Sequence, residues 1–158
     1  MRVTASLVIA ASPERVWPIV SDPERALSFM SGVTRWEVVS EQPTGIGARY
    51  RILLRVGSAE IGGLIEVVEW DPARELAWTS VTGIDQRGRW RLRDVGAART
   101  RVELRLAYGV AGSGLSGWVA ERITAPTITG HLRRTLRRLK QIVEQEQLRE
   151  RAAARRVG

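Results

Sequence analysis

The stretch Ile9-Ala10-Ala11-Ser12-Pro13-Glu14-Arg15-Val16-Trp17, with Ser21-Asp22-Pro23-Glu24-Arg25 close behind it, decides how this chain is read. Ser12 and Asp22 are side chains of the N-cap type, and each is followed by proline and glutamate. Proline at the first helical position sacrifices no hydrogen bond, and its fixed φ suits a helix, so each tetrapeptide predicts a helix start. The first helix is expected from Pro13 to about Val20, kinked or shortened by Pro18 within it. The second is expected from Pro23 to a point before Gly32. Ahead of both, Val3, Ala5, Leu7 and Ile9 alternate with Arg2, Thr4 and Ser6, the mark of a half-buried strand.

Beyond Gly32 the pattern changes to strands. One segment spans Val33 to Ser40, with Trp36 and Val38 on one side, and Pro43, Gly45 and Gly47 mark the turn after it. Tyr50, Ile52, Leu54 and Val56 then alternate with Arg49, Arg51 and Arg55. Ile61 to Trp70 follows, closed by Asp71-Pro72, and Leu76 and Trp78 open a strand that ends near Gly83. Gly88, Trp90 and Leu92 alternate with Arg89, Arg91 and Arg93. Val102, Leu104, Leu106 and Tyr108 alternate with Arg101, Glu103 and Arg105. Short turns between such strands predict an antiparallel sheet with one apolar and one wet face. Its arginines are read as a solvated face with Arg–Glu pairs, Glu103 among them.

After a glycine-rich turn, Gly109 to Gly117, a helical pattern is expected from about Ser116 to Glu146, roughly 45 Å long and bent at Pro126. Ile128, Leu132, Leu136, Leu139 and Val143 form its apolar stripe. Residues 145–158 lose that stripe and are read as a charged helix end or a frayed tail, leaving 1–144 as a single ligand-binding domain.

The order strand, two small helices, six strands, long helix, carried by the two proline motifs, resembles the START/Bet v 1-like (SRPBCC) superfamily, in particular its polyketide cyclase/dehydrase-like branch. Thr44-Gly45-Ile46-Gly47-Ala48-Arg49-Tyr50, Val67-Val68-Glu69-Trp70-Asp71-Pro72, Leu76-Ala77-Trp78 and Ala98-Arg99-Thr100-Arg101-Val102 extend the likeness over about residues 3 to 143. The resemblance implies an α+β helix-grip fold: a curved seven-stranded antiparallel sheet wrapped around the C-terminal helix, with a deep cavity between them. It also implies either a carrier of a hydrophobic small molecule (a lipid, polyketide or isoprenoid) or an aromatase/cyclase that assists aldol closure and dehydration.

If the sheet curves around the helix, alternation selects the residues facing the cavity. The expected ligand-binding set is Trp36, Tyr50, Ile52, Leu54, Trp78, Ser80, Trp90, Leu92, Leu106 and Tyr108 from the strands, with Ile128, His131 and Leu132 from the helix. Val38, Ile65, Leu104, Phe29, Met30 and Thr135 are placed around them. This is a mostly apolar lining with a few polar groups, as small-molecule pockets have, and Trp36, Trp78 and Trp90 are large enough to stack on a flat ligand. His131, the single histidine, is the one side chain whose ordinary pKa lies near neutrality. As a general acid–base it needs a partner, for which Tyr50, Tyr108 and Ser80 are the candidates. Asp85 and Asp94 fall near turns, where Asp bonds the local backbone.

Composition narrows the classes further. A chain of 158 residues, 44% of them hydrophobic, is one globular domain. Without cysteine it has no disulfide, thiolate metal site or cysteine nucleophile. One histidine leaves no recognisable metal-ligand cluster, and no cofactor motif or nucleophile elbow is present. No catalytic residue is assigned. The formal charge of +8 comes almost wholly from arginine spread over several strands, without a nucleic-acid recognition module, so no nucleic-acid partner is expected. The expected partner is a hydrophobic small molecule. Arg133, Arg134, Arg137, Arg138 and Lys140 also allow a weak contact with an anionic membrane surface. No signal segment or membrane-spanning run is read in the sequence, so the cytoplasm is the expected compartment. Oligomeric state is not legible.

Overall fold

The computed structural model describes residues 2–109 and 125–158. Alternating residues build seven strands: β1 (Arg2–Ile9), β2 (Val33–Val38), β3 (Arg49–Val56), β4 (Ala59–Asp71), β5 (Glu75–Ser80), β6 (Gln86–Asp94) and β7 (Thr100–Tyr108). All pair antiparallel in the order β1-β7-β6-β5-β4-β3-β2. Two short helices, α1 (Pro13–Val20) and α2 (Ala26–Phe29), link β1 to β2, and the long helix α3 (Ala125–Val157) follows the sheet. Curvature has a local cause. The register slips between Val67 and Glu69, so Val68 is an extra residue that bends β4 and stands exposed. A second slip between Val33 and Arg35 does the same for β2.

α3 lies in the hollow of this sheet. Ile128, Leu132, Leu136, Leu139 and Val143 are all buried, while Arg133, Arg134, Arg137 and Arg138 face outward. The helix also covers the open side of β1, an edge strand whose backbone groups would otherwise lack partners. Lys140 Nζ donates to the Val8 carbonyl at 3.1 Å. Glu144 accepts the Ala10 N–H at 3.0 Å, and the Gln147 side chain donates to the Ala10 carbonyl at 2.9 Å. α3 runs on to Val157, and beyond residue 144 it still reaches back through Glu146 to Arg25 and Glu150 to Arg15.

Two expectations about the helix starts need correction. The Ser12 side chain makes no capping bond; its backbone carbonyl accepts the N–H groups of Arg15 and Val16 at 3.0 and 3.1 Å instead. The Asp22 carboxylate takes the Glu24 N–H at 2.9 Å, but within a turn over Pro23 to Arg25; α2 begins three residues late, behind Arg25 and without a side-chain cap. Pro18 sits in the last turn of α1 without ending it. The glycine-rich turn after Gly109 and the helical residues expected from Ser116, including Trp118, fall outside the described residues. Pro126 therefore stands in the first turn of α3 as described, where proline is tolerated.

The wet face is a lattice of ion pairs, as the arginine pattern suggested. Glu75 binds Arg89, Arg91 and Arg93 at once, and Arg89 also pairs with Glu69 at 2.8 Å. Arg49–Glu66 and Arg105–Glu103 stand at 2.9 and 3.0 Å. Pairs as exposed as Arg49–Glu66 contribute about 0–1 kcal/mol each, whereas Glu75, only 14% exposed among three arginines, is the anchored member of the lattice.

Candidate functional site

Two cavities lie between sheet and helices. The larger, of about 100 Å3, sits under the first described turns of α3. Its walls are Trp36, Ile52, Leu54, Ile61, Gly62, Trp78, Gln86, Leu104, Leu106 and Tyr108 from the strands, with Ile84 from the β5–β6 connection. Met30, Ser31 and Val33 come from the α2–β2 corner, and Ile128, His131, Leu132 and Thr135 from α3. An engineered apolar cavity of about 150 Å3 holds benzene, so this hollow is on the scale of a single ring. A smaller one, about 20 Å3, lies beneath α2, bordered by Phe29, Trp36, Tyr50, Ile65, Trp78 and Trp90 among others.

Trp36, Ile52, Leu54, Trp78, Leu106, Tyr108, Ile128, His131 and Leu132 thus converge on the larger cavity. Four expected residues do not. Tyr50 and Trp90 border the smaller hollow instead. Trp90 is packed edge-to-face on Phe29, with ring centroids 6.2 Å apart. Leu92, further along β6, is buried in the core at 1% exposure and reaches neither cavity. Ser80 closes the β5–β6 turn: its Oγ accepts the Gln86 N–H at 3.2 Å and lies 3.4 Å from Asp85 Oδ1.

His131 finds its partner elsewhere. Its Nδ1 lies 2.9 Å from the Oγ of Ser31, a buried residue absent from the expected set. The Ser31 N–H donates in turn to Thr135 Oγ1 at 2.8 Å, so residues 131 and 135, one turn apart on α3, both grip the α2–β2 corner. Gly32 makes the approach possible. It adopts φ +81, and a Cβ there would stand 2.7 Å from His131 Cε1. A serine hydroxyl both donates and accepts, so either imidazole tautomer is satisfied. Burial lowers the His131 pKa, and the charges of Arg134 and Arg138 lower it further, which keeps the ring neutral near pH 7.

The tyrosines offered as partners are otherwise engaged. Tyr50 Oη donates to the Pro43 carbonyl at 2.6 Å, and burial, with the charge of Asp22 adding, pushes its pKa up to about 12. Burial also raises Tyr108. Asp94 accepts the Gly96 N–H at 2.8 Å, a local turn bond. Among the described residues no group of three or more His, Asp or Glu side chains is placed to hold a metal ion. No described helix is long and apolar enough to cross a membrane.

A curved antiparallel sheet that holds an apolar hollow against one long helix defines a helix-grip, START-like protein. The chain belongs to the family described as "Polyketide cyclase / dehydrase and lipid transport", whose profile matches residues 1–144. Solved structures share the fold. A Thermus thermophilus protein is 25% identical, with TM-score 0.77 over 92% of this chain and 99% of its own. The Streptomyces aromatase/cyclase Zhui is 21% identical, with TM-score 0.70 over 92% of this chain and 94% of its own. A START superfamily protein of Mycobacterium smegmatis is 18% identical, with TM-score 0.67 over 91% and 97%. No curated protein matches the sequence.

Proposed function

We propose that this protein binds a hydrophobic small molecule, of lipid, polyketide or isoprenoid type, in the larger cavity and serves as its carrier. The observation that carries this reading is the lining of the hollow, aliphatic and indole side chains from sheet and helix around space for one ring of such a ligand. The family description, which names lipid transport beside cyclase activity, supports it. The cytoplasm is the compartment in which we propose it acts. Native mass spectrometry of protein purified from its own host is the test. A lipid-like adduct released on extraction is the expected result, and repeated clean apo spectra, with no response of tryptophan fluorescence to hydrophobic probes, would overturn the reading.

One observation favours an enzyme of the aromatase/cyclase type. A neutral imidazole bonded to a buried serine at the cavity wall is equipped to take a proton from carbon beside a ketone and to return one to a departing hydroxyl. On that reading His131→Ala abolishes turnover of a model polyketide while binding of the probe persists. Unchanged turnover would remove His131 from any catalytic role.

A further inference from the structure

The two edges of the sheet are treated differently. α3 covers β1, bonding the Val8 and Ala10 backbone through Lys140, Glu144 and Gln147. β2, the other edge, pairs only with β3, and no described group bonds to its outer side. An uncovered edge is a template for another strand. The ladder shows which groups it offers. The Val39 N–H donates to the Arg49 carbonyl at 3.0 Å, continuing the register that pairs Val38 with Tyr50 and Glu37 with Arg51. Backbone bonding alternates along an antiparallel strand, so Arg35, Glu37 and Val39 turn their N–H and C=O groups to β3, while Trp36 and Val38 turn theirs outward. The side chains add a second pattern. Of the six glutamates on strands, Glu60, Glu66, Glu69, Glu75 and Glu103 each pair with an arginine. Glu37 alone has no cation partner among the described residues, and Arg35, two positions before it, has no acidic one; both are exposed.

We infer that β2 is the contact of a symmetric dimer, in which two copies of this chain join their β2 strands antiparallel into one continuous sheet. With the two-fold axis at Trp36, the outward N–H and C=O of Trp36 bond those of Trp36 in the second copy. Arg35 then stands directly opposite Glu37 of the second copy, and Glu37 opposite its Arg35. These are the non-bonded positions, where cross-strand side chains come closest. Each unpaired charge finds its opposite, twice, by symmetry. Shifting the axis to Glu37 or to Arg35 sets like charges face to face, so charge selects the register. The slip at Thr34 bends β2 and confines the ladder to residues 35–38. A contact that short gives a reversible, concentration-dependent dimer and not a permanent one.

Sedimentation equilibrium of the whole chain, loaded from about 1 μM to about 1 mM, tests this by reading the dimer dissociation constant. The expected result is a monomer–dimer equilibrium within that range. Arg35→Glu and Glu37→Arg each replace two attractions by two repulsions, so either alone should weaken the dimer on the order of tenfold. Mixed together, the two variants carry complementary edges: one chain has acid at both positions, the other base. A heterodimer about as tight as the native dimer should then form, and the double exchange within one chain should restore the homodimer. Amide exchange of the unmutated protein decides the matter even where a variant fails to fold. The Trp36 backbone N–H should be protected at high concentration and exchange faster on dilution, while that of Glu37, turned to β3, stays constant. A chain that remains monomeric throughout, a dimer that neither single exchange weakens, a mixture that fails to recover it, or Trp36 exchange independent of concentration would overturn the inference.

Discussion

Gly88→Ala is the sharpest probe of how the cavity is built. Gly88 sits in the middle of β6, opposite Trp78 on β5 and Leu106 on β7. An added Cβ would lie 1.9, 2.1 and 2.5 Å from three carbons of the Trp78 ring. Carbon atoms in contact rest at about 3.5–4.0 Å, so the indole would have to retreat by roughly 1.5 Å. Trp78 is 5% exposed, and the space beside it is that of the two hollows it borders. Overpacking of this kind costs about 1–3 kcal/mol, partly offset by the ~0.5–1 kcal/mol that alanine gains over glycine within a strand. A net loss of about 1–2 kcal/mol is expected in urea unfolding, with little change in slope. Repeating the exchange in a Trp78→Leu background removes the obstacle. There Gly88→Ala should be neutral or stabilising, giving a coupling of at least ~1 kcal/mol between the two sites. A Gly88→Ala protein as stable as the native one, or one equally destabilised in both backgrounds, would refute the idea that Gly88 exists to seat the ring.

The remaining expectations concern titration and the chain's end. His131 is held below its ordinary pKa in the folded state, first by burial and then by Arg134 and Arg138. The unfolded chain therefore binds the proton more readily, and stability should fall as pH drops below about 6.5, down to the folded-state value. His131→Gln should flatten that part of the pH profile, and identical profiles would contradict the assignment. Burial of Glu75 opposes its ionisation, but hydrogen bonding, including that from Arg93, and the charges of Arg91 and Arg89 outweigh it, so its pKa is lowered. Its contribution is then fully present above about pH 4.5 and lost as pH falls through the lower folded value. Glu75→Gln should cost about 1–2 kcal/mol near neutrality and nothing measurable in acid, with persistence of the difference at low pH the contrary result. Ending the chain after Glu144 removes the Gln147–Ala10 bond and the Arg25–Glu146 and Arg15–Glu150 pairs. A loss of about 2 kcal/mol is expected in thermal or urea unfolding, whereas ending it after Glu150 should cost little, since residues 151–158 are all exposed. A 1–144 chain as stable as the whole would show those contacts to be idle.

The element order was legible because both periodicities are clean. Tyr50 and Ile52 against Arg49 and Arg51 leave one choice of buried face, and the leucine stripe of α3 leaves one choice of packing side. Alternation reports the face of a strand but not how far along it the hollow extends. That is why Leu92 and Ser80, in phase with the cavity wall, lie beyond it. It is also why Ile61, Gly62, Ile84 and Gln86, near the ends of strands, went unselected although they close it. Ser31 was missed for a different reason. Its contact with His131 spans 100 positions and depends on the left-handed turn at Gly32. The Ser-Gly dipeptide just before β2 marked the turn, yet nothing local to it says which helix the serine will meet.

The three strand tryptophans divide between the hollows: Trp90 packs on Phe29 and borders the smaller one, while Trp36 and Trp78 border both. Selectivity in such a container comes from how the rings are seated. Gly88 fixes Trp78, Gly32 lets the serine corner close on His131, and each is a missing Cβ that lets a larger group approach the backbone. Two glycines, on different strands and turns, therefore set both the volume of the hollow and the polar groups at its wall, which makes the backbone, as much as the lining side chains, the determinant of what can bind.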